Sequence, residues 1–275
     1  MSVTMAIILG VIQGIAEFLP ISSSGHLALM HNFFGVSDKN NLAFDILLHL
    51  ATLFAVCIVY RKDVWLIVKG FFTLIKKLFS GEIKKGLDYG EKLFVMLVIA
   101  SIPLIPIVLI KDKVEYLSEI SWVIGILLII NGIMLYISDK LSKNEETLQR
   151  SDLQKPFFIG LFQVFGVLPG ISRSGSTITG GLFFGLNRQD AVKFSFLMSI
   201  PAIIGACVFE LPEFFSTKIS EEMVLPLIAG VITAAVVGFI SIKILQYIAK
   251  YSSFGIFSIY CFFIGITAIV ADILK

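Results

Sequence analysis

Six times along this 275-residue chain an apolar run reaches the length of a bilayer crossing, at roughly 43–60, 93–110, 120–138, 190–209, 223–245 and 254–273. A helix needs about 20 residues to cross the hydrocarbon core. No water is available there to satisfy backbone amides, so such runs can only be helices. The remaining composition agrees, with 57% hydrophobic and 15% charged residues and a mean hydropathy of +0.93, far from a soluble domain. The formal charge of +2 gives no reason to invoke a nucleic acid. A single integral membrane domain over 1–275 is expected. No Lys or Arg precedes the first apolar stretch and no small-residue cleavage pattern follows it, so that segment is expected to stay in the mature protein. Cys57, Cys207 and Cys261 stand alone in apolar runs without CxxC spacing and read as small hydrophobes.

Two further apolar stretches, 3–34 and 156–187, are interrupted by Pro, Gly and clustered hydroxyls. Broken backbone at membrane depth is tolerated only when buried in protein or lining a wet cavity, so each predicts a re-entrant helical hairpin. Shifted by 150 they match: Gly10 with Gly160, Gln13 with Gln163, Ser22 with Ser172, Ser24 with Ser174 and Gly25 with Gly175, with a one-residue slip at Leu19-Pro20 against Leu168-Pro169. The pattern predicts an internal duplication, 1–150 and 151–275. Each half would hold one hairpin and three crossings, and an odd number of crossings inverts the second half. The expected fold is therefore an all-α polytopic membrane protein with six transmembrane helices and two re-entrant hairpins in inverted-topology repeats, the hairpins facing each other near the midplane.

Loop charge sets the expected orientation. The 61–92 connection carries Arg61, Lys62, Lys69, Lys76, Lys77, Lys84, Lys85 and Lys92 against four acids, whereas 210–222 carries Lys218 against Glu210, Glu213, Glu221 and Glu222. Positive loops stay in the cytoplasm, so the first is expected inside, with the second and both termini outside. Within the basic loop, residues 64–79 read as an interfacial helix with lysines toward lipid headgroups.

The polar residues inside the hairpins suggest chemistry. Gln13 and Glu17, four apart, share a helix face, and the adjacent Gly10 and Gly14 invite a close helix partner. A carboxylate at membrane depth is costly and usually functional. In "PISSSGH" Pro20 stops a helix, one of Ser22, Ser23 and Ser24 caps the next, and His26 lies within its first turn as candidate nucleophile, base or acid. In "PGISRSGST", Arg173 stands between serines at another helix start. Its planar fork wants an anion, either a phosphate or a partner such as Glu17. Asp45 and His49 are four apart and read as a local hydrogen-bonded pair, His31 as interfacial, and Asp190 as a cap or a dipole partner at the start of a spanning helix.

"QGIAEFLPISSSGH" and "PGISRSGST" resemble the two signature motifs of the undecaprenyl-diphosphate phosphatase family, the bacitracin-resistance type, and the resemblance runs the length of the chain. It implies hydrolysis of undecaprenyl diphosphate to the monophosphate carrier used in cell-wall synthesis, in a bacterial plasma membrane. Glu17, Ser23, His26 and Arg173 match the family's catalytic positions. Gln13, Ser22, Ser24, Ser172, Ser174 and Thr177 match positions around the substrate. Mg2+ or Ca2+ is implied as cofactor, with Glu17 as the candidate metal ligand. Gln13 stands where many relatives have Glu, which weakens a two-carboxylate metal site. The nucleophile stays open among Ser23 activated by His26, His26 itself, and water. Phosphatidic-acid-type phosphatases require a histidine after their SR element, which "SRSGSTITGG" lacks. A flippase for undecaprenyl phosphate is the alternative activity, the lipid substrate the expected partner together with a homodimer, and an outward-opening groove the expected geometry.

Overall fold

The computed structural model describes residues 1–34, 41–81, 86–140, 145–216 and 220–274, and among them the regular structure is helical apart from one isolated bridge between Glu146 and Leu186. Lys84, Lys85 and Lys218 of the loop-charge argument lie outside the described residues. The first broken stretch forms two short helices, α1 (Val3–Ala16) and α2 (Ser23–Phe34). At 1.5 Å per residue, the 14 residues of α1 reach about 21 Å, short of the hydrocarbon thickness. Next come α3 (Asn41–Val59) and α4 (Arg61–Ser80), joined by a 90° bend. The chain continues through α5 (Tyr89–Ser101), a 3-10 segment (Ile102–Ile110), α6 (Lys111–Ser118) and α7 (Ser121–Lys140). Pro103 and Pro106 explain the 3-10 segment, since each lacks the N–H that an α-helix would use there. The second broken stretch is α8 (Lys155–Phe165) and α9 (Arg173–Phe183), followed by α10 (Arg188–Ser216), α11 (Glu221–Tyr251) and α12 (Gly255–Ile273).

By length and composition five helical stretches can cross a membrane: Tyr89–Ser118, Ser121–Lys140, Arg188–Pro212, Glu221–Tyr251 and Gly255–Ile273. The run at 43–60 brings the number to six when α3 and α4 are taken as one bent span. α4 is amphipathic, with Lys62, Lys69 and Lys76 exposed. Lys77 departs from the expected lipid-facing arrangement, because its Nζ lies 2.6 Å from Oε2 of the fully buried Glu91. Gly70 makes this packing possible, since a Cβ there would sit 2.3 Å from the backbone of Gly90.

Small residues let the short helices pack closely. α1 runs along α11 in the same direction: a Cβ on Gly10 would meet Gly230 O at 2.6 Å, and one on Gly14 would meet Ala234 O at 2.9 Å. α8 packs on α5 in the corresponding way, with Gly160 against Ala100. α7 and α12 pack along each other, as do α3 and α10. One end of the bundle is tied by Lys193 to Asp63 (2.7 Å) and Arg188 to Asp139 (3.2 Å), the other by Asn32 to Ser118 O (3.0 Å) and Lys111 to Glu210 (3.9 Å).

Candidate active site

The site is built where the two turns meet. α1 ends just before Glu17, and the chain doubles back through Leu19-Pro20 before Ser22 opens α2. Ser22 has a φ of +74°, a left-handed conformation that costs a non-glycine residue on the order of 1 kcal/mol or more. Two hydrogen bonds hold it there, since its Oγ accepts from Gly25 N at 3.2 Å and from Gly170 N, in the other turn, at 3.1 Å. Gly170 itself has a φ of +108°, and a Cβ on it would lie 2.7 Å from Ile124 O, so no other residue fits. Ser172 repeats the cap on α9, accepting from Gly175 N at 3.1 Å.

Between these caps lies an ion pair. Arg173, the first residue of α9, donates from Nη2 to Glu17 Oε1, with 16% of the arginine and 5% of the glutamate side chain exposed. Oε2 of Glu17 accepts from Ser23 Oγ at 2.8 Å and Gln13 Nε2 at 3.1 Å. Arg173 Nη1 and Gln13 Oε1 are buried without a hydrogen-bond partner. Such an orphan donor is costly unless a ligand takes it. Glu17, Ser23, Arg173 and Gln13 are thus brought together as the sequence suggested, and Arg173 takes Glu17 as its partner in this state.

His26 is placed differently. Its Nδ1 lies 2.8 Å from Ser22 O, and since a carbonyl only accepts, Nδ1 carries the hydrogen. In the neutral ring Nε2 then accepts from Tyr260 OH at 2.9 Å, with the two rings stacked at 5.6 Å. Ser23 is therefore bonded to Glu17, and His26 is turned toward Tyr260. Ser24 is exposed, whereas Ser174 and Thr177 are buried. Thr177 Oγ1 bonds Ser195 Oγ at 2.6 Å and Arg173 O at 2.9 Å, facing α10, and Ser174 Oγ pairs with Ser172 Oγ at 3.0 Å. These two reach Glu17 through the backbone they hold.

Three residues join the site that the motifs did not include. Asn131, fully buried in α7, accepts from Ser172 N at 3.0 Å and donates to Pro20 O at 2.9 Å, bridging both turns. Its signal was available as a lone amide in the middle of a spanning run. Tyr260 carried no signal separable from an interfacial aromatic. His49 corrects the expected local pair: Nδ1 lies 2.8 Å from the backbone O of Asp45, not its carboxylate, and Nε2 faces Glu17 Oε2 at 3.8 Å. The Asp45 carboxylate lies 3.8 Å from His31 instead. Asp190 does not cap α10: Asn187 Oδ1 accepts from Asp190 N at 2.9 Å, while the Asp190 carboxylate, in the first turn of the helix, accepts from Leu148 N at 3.1 Å.

The donor set does not fit a protein-held divalent cation. A hard ion needs several free oxygens, yet both oxygens of Glu17 are engaged by Arg173, Ser23 and Gln13. Among the described residues no group of three or more His, Cys, Asp or Glu is placed to hold a metal.

Short helical pairs that meet between long apolar helices, around a largely buried ion pair whose Arg173 Nη1 has no partner, define a multi-pass membrane protein. The family is more specific: residues 6–267 match the Bacitracin resistance protein BacA family, and the chain belongs to it. Curated relatives include the undecaprenyl-diphosphatase of Alkaliphilus metalliredigens (38% identical, 100% of both chains) and that of Methanosphaera stadtmanae (39%, 99% of both). That of Desulforapulum autotrophicum is 38% identical over 98% of this chain and 99% of its own.

Proposed function

We propose that this protein is an undecaprenyl-diphosphatase, cleaving the terminal phosphate from undecaprenyl diphosphate to give the monophosphate lipid and inorganic phosphate. That activity links the chain to the resistance its family is named for. The observation that carries the reading is Glu17, held on one oxygen by Arg173 and on the other by Ser23 Oγ at 2.8 Å, beside the orphan Nη1 of Arg173. Phosphoryl transfer needs an in-line nucleophile and charge stabilisation on the phosphoryl oxygens. Ser23 is the nucleophile best supported: as Oγ bonds to the terminal phosphorus, its proton passes to Glu17 Oε2. The bridging P–O bond then breaks toward the monophosphate lipid, and water hydrolyses the phosphoserine. Arg173 offers Nη1 to the phosphoryl oxygens. Ser24 and Gln13 complete the cradle, while Ser22, Ser172, Ser174 and Thr177 hold its backbone. Attack by His26 would require Tyr260 to release Nε2 first. Trapping distinguishes the cases, since an acid-stable phosphoenzyme marks serine and an acid-labile one histidine.

Mg2+ or Ca2+, on this reading, arrives as the counter-ion of the diphosphate. Two inverted repeats, 1–150 and 151–275, are supported by the matching caps of Ser22 and Ser172 and by the packing of α1 on α11 and α8 on α5. The paired short helices are then re-entrant, meeting at midplane. Arg61, Lys62, Lys69, Lys76, Lys140 and Lys250, exposed on elements at one end, make that end cytoplasmic in the plasma membrane. The site opens to the opposite face, with the prenyl tail between helices in lipid. The deciding experiment supplies the purified protein in detergent with a polyprenyl diphosphate and a divalent cation. Phosphate release is expected, whereas translocation of the monophosphate lipid in liposomes without any release would make it a transporter.

A further inference from the structure

We infer that His49 restores the Glu17 carboxylate after each turnover, taking the proton from Oε2 on its Nε2 and passing it to water. The inference rests on the hydrolytic reading above, in which Glu17 gains a proton from the nucleophile. A carboxyl group with 5% of its side chain exposed, covered by Arg173, Ser23 and Gln13, cannot deliver that proton to bulk water directly. His49 approaches the same oxygen from α3, its Nε2 3.8 Å from Oε2, and 34% of its side chain is exposed.

Its tautomer suits the task. The backbone O of Asp45 holds Nδ1 at 2.8 Å and can only accept, so Nδ1 carries the hydrogen and the neutral ring presents the lone pair of Nε2 toward Glu17. The step breaks the O–H bond at Oε2 and forms N–H at Nε2, with the gap closed by rotation of the ring about its anchor or by one bridging water. The resulting imidazolium lies against the regenerated carboxylate until water removes the proton.

The charged surroundings of His49 are few. Glu17 faces it from the end of α1, with Arg173 of α9 behind. Asp45 is one turn away on its own helix, near His31 of α2 at 3.8 Å and within electrostatic reach of Glu210 of α10. α11, packed along α3, carries no ionisable side chain between Glu222 and Lys243.

The test measures phosphate release from a polyprenyl diphosphate across pH by wild type, His49→Gln and His49→Ala. Glutamine can keep a hydrogen bond but cannot take a proton, so kcat is expected to fall about hundredfold, with KM changed less than about twofold. His49→Gln should also change the pH profile of kcat. Added imidazole should restore part of the His49→Ala rate, which a merely structural role would not allow. Wild-type rates and an unchanged pH profile for His49→Gln overturn the inference, as does an His49→Ala deficit indifferent to imidazole. Should His49→Ala fail to fold, the profile of His49→Gln decides alone. Absence of phosphate release from wild type itself would instead count against the hydrolytic reading.

Discussion

Arg173 donates to Glu17 through Nη2 and leaves Nη1 without a partner, so its two ends do different work: one fixes the carboxylate, the other waits for an anion. A lysine ammonium cannot hold both positions in one plane. Arg173→Lys is therefore expected to lower kcat/KM about hundredfold, the scale of removing one preorganised donor, and a near-wild-type value in the same phosphate-release assay would remove the fork from the account. Asn131 acts at the same scale without touching substrate. Truncation in Asn131→Ala strands Ser172 N–H and Pro20 C=O in a dry interior, at a cost of about 1–3 kcal/mol for each unsatisfied group. A lowered unfolding midpoint in detergent together with a reduced rate is expected, and an unaltered midpoint would show that the two turns do not depend on this bridge.

At the scale of elements, the account depends on short helices brought close by glycine. Gly14→Leu places a branched side chain where a single Cβ already meets Ala234 O at 2.9 Å. α1 must then move off α11, costing roughly 1–3 kcal/mol of strain and carrying Glu17 away from Arg173. Loss of activity exceeding the loss of stability is expected, whereas full activity would mean that the α1–α11 contact does not position the carboxylate. Much at this scale was legible in the chain. Long apolar runs must be helices in hydrocarbon, and Pro20, Pro169 and the serines after them announce two breaks, which the structure places at the α1–α2 and α8–α9 turns. Glu17 and Arg173 were legible because charge at that depth demands a partner. The rest depended on three-dimensional neighbours. Spacing of four pointed His49 at the Asp45 side chain, but the ring turned to the backbone carbonyl and so faced Glu17. Lys77 read as a headgroup contact until α5 supplied the buried Glu91. Asn131 was diluted by the apolar run around it, and only the meeting of two distant turns gave it a purpose.

For the whole molecule, the orientation and the chemistry are separable claims. Basic residues gather at the end where α4 bends away and Lys193 meets Asp63, so the exposed Ser24 is expected to be reached from the opposite, outer face. With Cys57, Cys207 and Cys261 replaced, Ser24→Cys should react with a membrane-impermeant thiol reagent added to intact cells, and labelling confined to inverted vesicles would reverse the orientation while leaving the chemistry untouched. The chemistry itself is tested most directly by a mutant cycle on the ion pair, with phosphate release from undecaprenyl diphosphate measured for wild type, Glu17→Gln, Arg173→Gln and the double variant. Groups that act as one catalytic unit are far from additive, so each single variant should lose nearly as much rate as the pair. Additive losses, or single variants that retain the wild-type rate, would contradict the claim that Glu17 and Arg173 together form the hydrolytic centre.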